Sequence, residues 1–200
     1  MKTVNYGLIG CGMMGREHIL NINLLSQGRV SVVYDPVAEL AESAATLAEN
    51  AHVAGSLEEL LDFEELDAVV IVSPNYLHVA QLQQIAATRP MPILCEKPLY
   101  TDPADAAILD KLFEGYPHPV WVAMEYRYMP PVAALIAQAE QATGGIKMLS
   151  IREHRFPFLP KIGDWNRFNA KTGGTLVEKC CHFFDLMRLI LKDEPIRVMA

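Results

Sequence analysis

The amino-acid sequence predicts an α/β fold: a doubly wound parallel sheet over residues 1–123, followed by an incomplete α/β domain of open-sheet type over 124–200. Three observations predict it. Short apolar runs alternate with helical patterns through the first half, as in a parallel sheet covered by helices on both faces. The stretch Asp67–Val72 is apolar after its first residue, as a strand buried on both faces should be. A turn reading Gly10-Cys-Gly12-Met-Met-Gly15 joins the first apolar run to the first helical one.

Taken in order, Val4–Ile9 reads as a strand and Met13–Ser26 as a helix with its apolar face at Ile19, Ile22 and Leu25. Val30–Tyr34 is the second strand, Val37–Glu49 a helix and His52–Ala54 a short third strand. Strand Asp67–Val72, helix Leu77–Thr88, strand Pro92–Cys95, helix Pro103–Phe113 and strand Val120–Met124 complete the first part. After Met124 the pattern changes. Pro130-Pro131 opens a helix to about Ala142, and Gly144-Gly145 ends it. Lys147–Phe156 alternates like a long strand, a loop with Pro157, Pro160 and Gly163 follows, and Leu176–Lys192 reads as one long apolar helix. Ile196–Met199 is strand-like. So few strands and helices cannot cover their own apolar faces, so this second part is expected to be unfinished.

The chain is 51% hydrophobic, enough for a sizeable core, and its formal charge of −7 with no basic cluster argues against a nucleic-acid surface. Cys11, Cys95, Cys180 and Cys181 lack a metal-finger spacing, and reduced thiols in a cytoplasmic protein are the simplest account. The N-terminal stretch holds Asn5 and the glycine turn, so it does not read as a signal peptide. The segment Ala68–Thr88 carries no full charge, but Pro74, Asn75, His78 and its glutamines make it a strand plus helix rather than a membrane span.

A glycine triplet of this spacing, between a strand and a helix, is a dinucleotide-binding fingerprint of the Rossmann kind when an acid ends the second strand. Asp35 is that acid, 20 residues after Gly15. Gly10 allows the tight turn, Gly12 a close approach of backbone to pyrophosphate, and Gly15 close helix–strand packing. Met13 and Met14 open the helix whose free N–H groups would face the anion, and their side chains read as helix packing. Asp35 suits the ribose of NAD and repels the 2′-phosphate of NADP.

Glu96-Lys97-Pro98 stands at the carboxyl end of the strand Pro92–Cys95, where open parallel sheets bind ligands. An ammonium there would favour a developing alkoxide, and Pro98 permits a cis bond. On the expected long helix, Glu178, His182 and Asp185 fall at i, i+4 and i+7, one narrow stripe on an otherwise apolar surface. His182 could move a proton near neutral pH, Asp185 could orient its ring, and Glu178 could hold a substrate hydroxyl. A plain solvent-touching helix edge is the competing reading. A metal reading of Cys180, Cys181 and His182 is disfavoured, because neighbouring helical residues point about 100° apart. Ser73, Pro74, Asn75 and His78 follow the strand Asp67–Val72 and could border a cofactor, and Arg127 could reach the cleft. His18, His52, His118 and His154 read as structural or surface histidines.

Together these segments resemble the Gfo/Idh/MocA family of NAD(P)-dependent oxidoreductases over essentially all 200 residues. The resemblance rests on Gly10-x-Gly12-x-x-Gly15, Ser73-Pro74-Asn75…His78, Glu96-Lys97-Pro98, Arg127, Trp165 and Gly173-Gly174…His182-x-x-Asp185 in that order. It implies that Lys97 and His182 are catalytic, that Asp185 supports the histidine, and that Asn75, His78, Glu96 and Arg127 lie near the cofactor. It implies sugars, inositols and related secondary alcohols as substrates, and a homo-oligomer formed through the second domain's sheet. Where the family pattern has Asp-x-Gly before the histidine, this chain has Glu178 and Cys180. Family members continue beyond this length, so the chain is expected to be part of a longer protein, a truncated product or one piece of a split gene. The function expected is hydride transfer between NAD and a secondary alcohol, with Lys97 and His182 acting on one substrate oxygen. NAD-dependent glycoside hydrolysis and a non-catalytic dinucleotide-responsive role are the alternatives.

Overall fold

A computed structural model describes residues 2–154 and 159–199, and its packing divides the chain into two units, Met1–Ala123 and Met124–Ala200. The first unit is built on six strands: β1 (Val4–Ile9), β2 (Gly28–Tyr34), β3 (His52–Val53), β4 (Ala68–Ile71), β5 (Ile93–Cys95) and β6 (Val120–Val122). All pair in parallel, in the order β3-β2-β1-β4-β5-β6. The chain winds outward to β3, then crosses back to place β4 on the free side of β1. The β1/β4 boundary is therefore a topological switch point, where the carboxyl ends of the strands open a crevice.

Strand alternation sends successive side chains to opposite faces, and two cores result. Leu8, Val33, Val70 and Val72 pack with α1 (Met13–Asn23) and α2 (Ala38–Leu47) through Ile19, Ile22, Ala44 and Ala45. Ile9, Val32, Val69 and Ile71 pack on the other face with α3 (Leu57–Asp62), α4 (His78–Thr88) and α5 (Asp105–Phe113) through Leu60, Leu61, Leu82, Ile85 and Leu109. Each such valine, leucine or isoleucine side chain contributes about 1.5–3 kcal/mol when fully buried. Helix α1 ends at Asn23, three residues short of the sequence expectation, so Leu25 lies past it and is exposed. Helix α3 has no counterpart in the sequence reading. Its start is fixed by Ser56, whose hydroxyl accepts the Glu59 N–H at 3.1 Å.

Two polar devices tie the elements together. The Arg89 guanidinium donates to four carbonyls around the end of α3: Leu61 at 2.9 Å, Phe63 at 2.7 Å, Glu64 at 3.3 Å and Leu66 at 3.0 Å. It satisfies acceptors the short helix leaves unpaired. Charge-assisted bonds contribute about 1.5–3 kcal/mol each and do not sum fully, so Arg89→Met is expected to destabilise this unit by about 3 kcal/mol. Urea unfolding should show a lower midpoint at unchanged slope. At the same end of the sheet, just before β4, Asp67 accepts from Lys2 Nζ at 2.7 Å and from the Asn5 backbone N–H at 3.0 Å. The Lys2 bond, then the Asn5 bond, hold the Asp67 carboxyl below the usual carboxylate range. A depressed folded value gives stability that is present above the unfolded value, near 3.9, and is lost as pH falls through the folded one. Asp67→Asn should therefore lower stability at neutral pH, flatten the acid side of a stability–pH curve and converge on the parent at the lowest pH.

The second unit holds α6 (Pro130–Thr143), α7 (Asn169–Thr172), α8 (Thr175–Glu178) and α9 (Cys181–Leu191). Proline opens α6 and Gly144, at φ 67°, closes it. Among the described residues this unit has no strand. Residues 147–154 and Ile196–Met199 run without ladder partners, although the sequence alternation suggested strands there. Alternation makes a segment able to pair, but a strand exists only where a neighbour completes its hydrogen bonds. The remainder of the expected strand Lys147–Phe156 lies outside the described residues.

Candidate active site

Within the first unit, the loops that follow β1, β4 and β5 lie side by side at the switch point. Gly10 adopts φ +99°, and a Cβ there would stand 2.6 Å from the Ser73 amide nitrogen. The glycine turn is thus pressed against the chain leaving β4. Its amide donates to Tyr34 O at 2.8 Å, and the next amide, that of Cys11, donates to Asp35 Oδ2 at 2.8 Å. Asp35 Oδ1 accepts the Val37 N–H at 2.9 Å. The acid at the end of β2 is therefore fixed in place by backbone, and each oxygen keeps acceptor capacity for a hydroxyl. Burial, reinforced by Asp35, pushes the Cys11 thiol up to about 12, so it stays neutral. Burial pushes the Cys95 thiol up as well.

A dinucleotide fits this turn. A Cβ on Gly12 would meet nothing within 4 Å, whereas one on Gly15 would overlap the Gly10 carbonyl oxygen. The space lies over the N-terminus of α1, whose first bond runs from Arg16 N–H to Gly12 O at 3.0 Å. The amides of Met13, Met14 and Gly15 precede that bond and face off the helix end, as an anion requires. On the loop after β4, Asn75 is buried with its Nδ2 lacking a hydrogen-bond partner, an orphaned donor of the kind a cofactor would satisfy.

The loops after β4 and β5 are clamped by histidines. His78, expected beside the cofactor, presents no surface. Its Nδ1 lies 2.8 Å from Pro98 O and its Nε2 3.1 Å from Ser73 O, so it ties the Ser73–Asn75 loop to the Lys97–Pro98 turn. Burial lowers its proton affinity more than these carbonyls raise it. His18, read from sequence as structural or surface, reaches from α1 to Glu96: Nε2 to Oε1 is 2.8 Å. Glu96 Oε2 also accepts the Lys97 N–H at 3.3 Å. Glu96 thus supports the lysine turn from below. Lys97 is half-buried, in a cis bond with Pro98, at the carboxyl end of β5.

In the second unit the expected continuous helix is two helices. Lys179 and Cys180 fall between α8 and α9, and the amides of both donate to Thr175 O, at 3.0 and 3.1 Å. The Cys181 thiol bonds the freed Glu178 carbonyl at 3.7 Å. The break separates Glu178, the last residue of α8, from the helix that carries His182 and Asp185. Asp185 does not orient the imidazole either. Arg127 Nε donates to Asp185 Oδ2 at 2.6 Å, and its NH2 group donates to Oδ1, a bidentate pair. The guanidinium fork matches a carboxylate better than one imidazole nitrogen does. His182 is buried instead against a 3-10 turn, Glu125–Tyr128. The Tyr126 ring stacks on it at 4.1 Å and 4°, and Glu125 Oε1 stands 3.5 Å from its Nε2. Glu125 and Tyr126 were missed in the sequence, although they immediately precede the suspected Arg127. Asn166 is also buried, with Nδ2 donating to Leu159 O at 3.2 Å. Among the described residues no group of three or more His, Cys, Asp or Glu side chains is arranged to hold a metal ion.

A six-stranded parallel sheet with a glycine turn at its switch point and a tethered acid after β2 defines an NAD-binding Rossmann domain. Residues 4–124 match the oxidoreductase family GFO_IDH_MocA, NAD-binding Rossmann fold, and residues 139–200 match that family's C-terminal alpha/beta domain. The chain belongs to the Gfo/Idh/MocA family. It is 40% identical over 201 residues to inositol 2-dehydrogenase 2 of Saccharopolyspora erythraea, covering 99% of this chain and 57% of that one. A crystal structure of myo-inositol dehydrogenase from Lactobacillus casei, in complex with NAD(H) and myo-inositol, superposes with a TM-score of 0.75 at 25% identity, over 96% of this chain and 55% of that one. A putative myo-inositol dehydrogenase from Sinorhizobium meliloti shares the fold, with a TM-score of 0.82 at 24% identity over 96% of this chain and 56% of that one. The chain spans just over half the length of the curated relatives it matches.

Proposed function

We propose that this chain carries the NAD-binding half, and the beginning of the substrate-binding half, of a dehydrogenase that oxidises a secondary alcohol of an inositol, sugar or related polyol. The observation that carries this is the placement of Lys97 after β5, two strands from β1 and the open space at Gly12, on one sheet edge. NAD supplies the hydride acceptor when bound. The amides of Met13, Met14 and Gly15 bind its pyrophosphate, Asp35 takes the ribose hydroxyls and so favours NAD over NADP, and Asn75 donates through Nδ2. Lys97 Nζ steadies the alkoxide, and His182 takes the hydroxyl proton. Ser73, Pro74 and Glu96 shape the wall around the lysine turn, Glu178 meets the substrate, and Arg127 acts through Asp185.

The identity of relatives as inositol dehydrogenases supports a polyol substrate over a glycoside. No helix among the described residues is long and apolar enough to cross a membrane. Buried thiols at Cys11 and Cys95 support a cytoplasmic setting, and residues 124–200 would belong to a homo-oligomer's substrate domain. The test is NADH formation from NAD over a panel of inositols and sugars, beside release of aryl leaving groups from glycosides. NADH accumulating with a polyol supports the reading. Leaving-group release without net NADH would replace it with glycoside hydrolysis.

A further inference from the structure

Three consecutive residues of the turn Glu125–Tyr128 engage the first turn and a half of α9: Glu125 and Tyr126 meet His182, and Arg127 meets Asp185. We propose that Glu125 and Tyr126 are the positioning residues of His182, in the place that sequence reasoning gave to Asp185. The proposal rests on the reading of His182 as the proton acceptor. Glu125 Oε1 stands 3.5 Å from Nε2, within ion-pair range and longer than a good hydrogen bond, so it acts on the ring through its charge. A carboxylate there favours the tautomer with its proton on Nε2 and leaves the lone pair on Nδ1, the nitrogen across the ring. It also stabilises the imidazolium formed when Nδ1 takes a second proton, as the acid does in any carboxylate–histidine pair. Asp185 is engaged elsewhere, its carboxylate held by the Arg127 fork.

Tyr126 sets the ring plane. Its ring is parallel to the imidazole within 4° at 4.1 Å, so rotating His182 about its Cβ–Cγ bond would break the face contact. Tyr126 is held in turn, since its Oη donates to Glu153 Oε1 at 3.1 Å. Control of the imidazole thus runs from Glu153 through Tyr126 to the ring plane, and from Glu125 to the proton's position. In the step served, the substrate O–H bond breaks with its electron pair left on oxygen, and an Nδ1–H bond forms. That pair would close the carbonyl with hydride leaving the carbon, and NAD, when bound, would be the hydride acceptor.

The experiment labels the whole chain with 15N-histidine and compares the parent with Glu125→Gln, Tyr126→Phe and Tyr126→Leu, alongside steady-state rates with NAD and the preferred polyol. The parent should show His182 as the Nε2–H tautomer, with ring protons moved upfield by the stacked tyrosine. Glu125→Gln should lose the tautomer preference and keep the upfield shift. Tyr126→Leu should lose that shift, and Tyr126→Phe should keep it. Glu125→Gln and Tyr126→Leu should each lower kcat about tenfold or more with KM for NAD unchanged. His182 signals identical in the parent, Glu125→Gln and Tyr126→Leu would overturn the proposal. So would unchanged kcat in both variants when His182→Ala abolishes turnover. Full turnover by His182→Ala would instead remove the underlying assignment of His182, and the proposal with it.

Discussion

Lys97→Ala is expected to lower kcat for polyol oxidation by about 10²- to 10³-fold, while NAD affinity stays nearly unchanged. The asymmetry follows from what the ammonium does. In the proposed reaction it would meet negative charge that develops only as the alcohol loses its proton, and so would stabilise the transition state more than the bound substrate. Its placement does not depend on its own long side chain alone. The turn carrying it is held on one side by Glu96, gripped by His18 at 2.8 Å, and on the other by Pro98, whose carbonyl His78 bonds at 2.8 Å. A preorganised cation of this kind contributes more than a mobile surface lysine, since no reorganisation is needed at the moment of reaction. Steady-state rates with the preferred polyol and calorimetric NAD titration of both proteins check the claim. A variant that keeps the parent's kcat would take Lys97 out of the chemistry. Lys97→Arg should recover only part of the rate, because a planar fork cannot stand where a compact ammonium did.

The sequence made visible what is imposed locally and hid what is imposed at a distance. Gly10, Gly12, Gly15 and Asp35 were legible because their spacing is set by one strand–turn–helix–strand unit. Helix α6 was legible because Pro130 and Gly144 punctuate it. Helix α3 escaped because it is six residues long, too short for a periodic signal, although Ser56 and Glu59 form a capping pair. The break between α8 and α9 carries neither glycine nor proline. It is held by backbone bonds to Thr175 and by the Cys181 thiol on the Glu178 carbonyl, choices that propensity does not reveal. The partners of Asp185 and His182 lie more than fifty residues upstream, and only folding brings Arg127 and Tyr126 to them. The spacing of Glu178, His182 and Asp185 was correct arithmetic applied to a helix that does not run through all three.

Two single-methyl additions to the glycine turn should separate folding from binding. Gly15→Ala forces a Cβ onto the Gly10 carbonyl oxygen, a backbone atom with no side-chain freedom to yield. Overpacking of this kind costs about 1–3 kcal/mol, so the variant's melting temperature and urea midpoint should both fall. Gly12→Ala places its methyl in open space with φ −70°, a conformation any residue adopts, so its stability should stay within about 1 kcal/mol of the parent. The same methyl would stand where the pyrophosphate must approach the backbone, and NAD binding should weaken by about tenfold or more, 1.4 kcal/mol at the least. Thermal unfolding with and without NAD reads both effects at once: the parent gains stability from the cofactor by mass action, and Gly12→Ala should gain far less at equal concentration. Equal NAD stabilisation of the parent and Gly12→Ala would mean that the space over Gly12 is not where the pyrophosphate lies, whatever the fold around it.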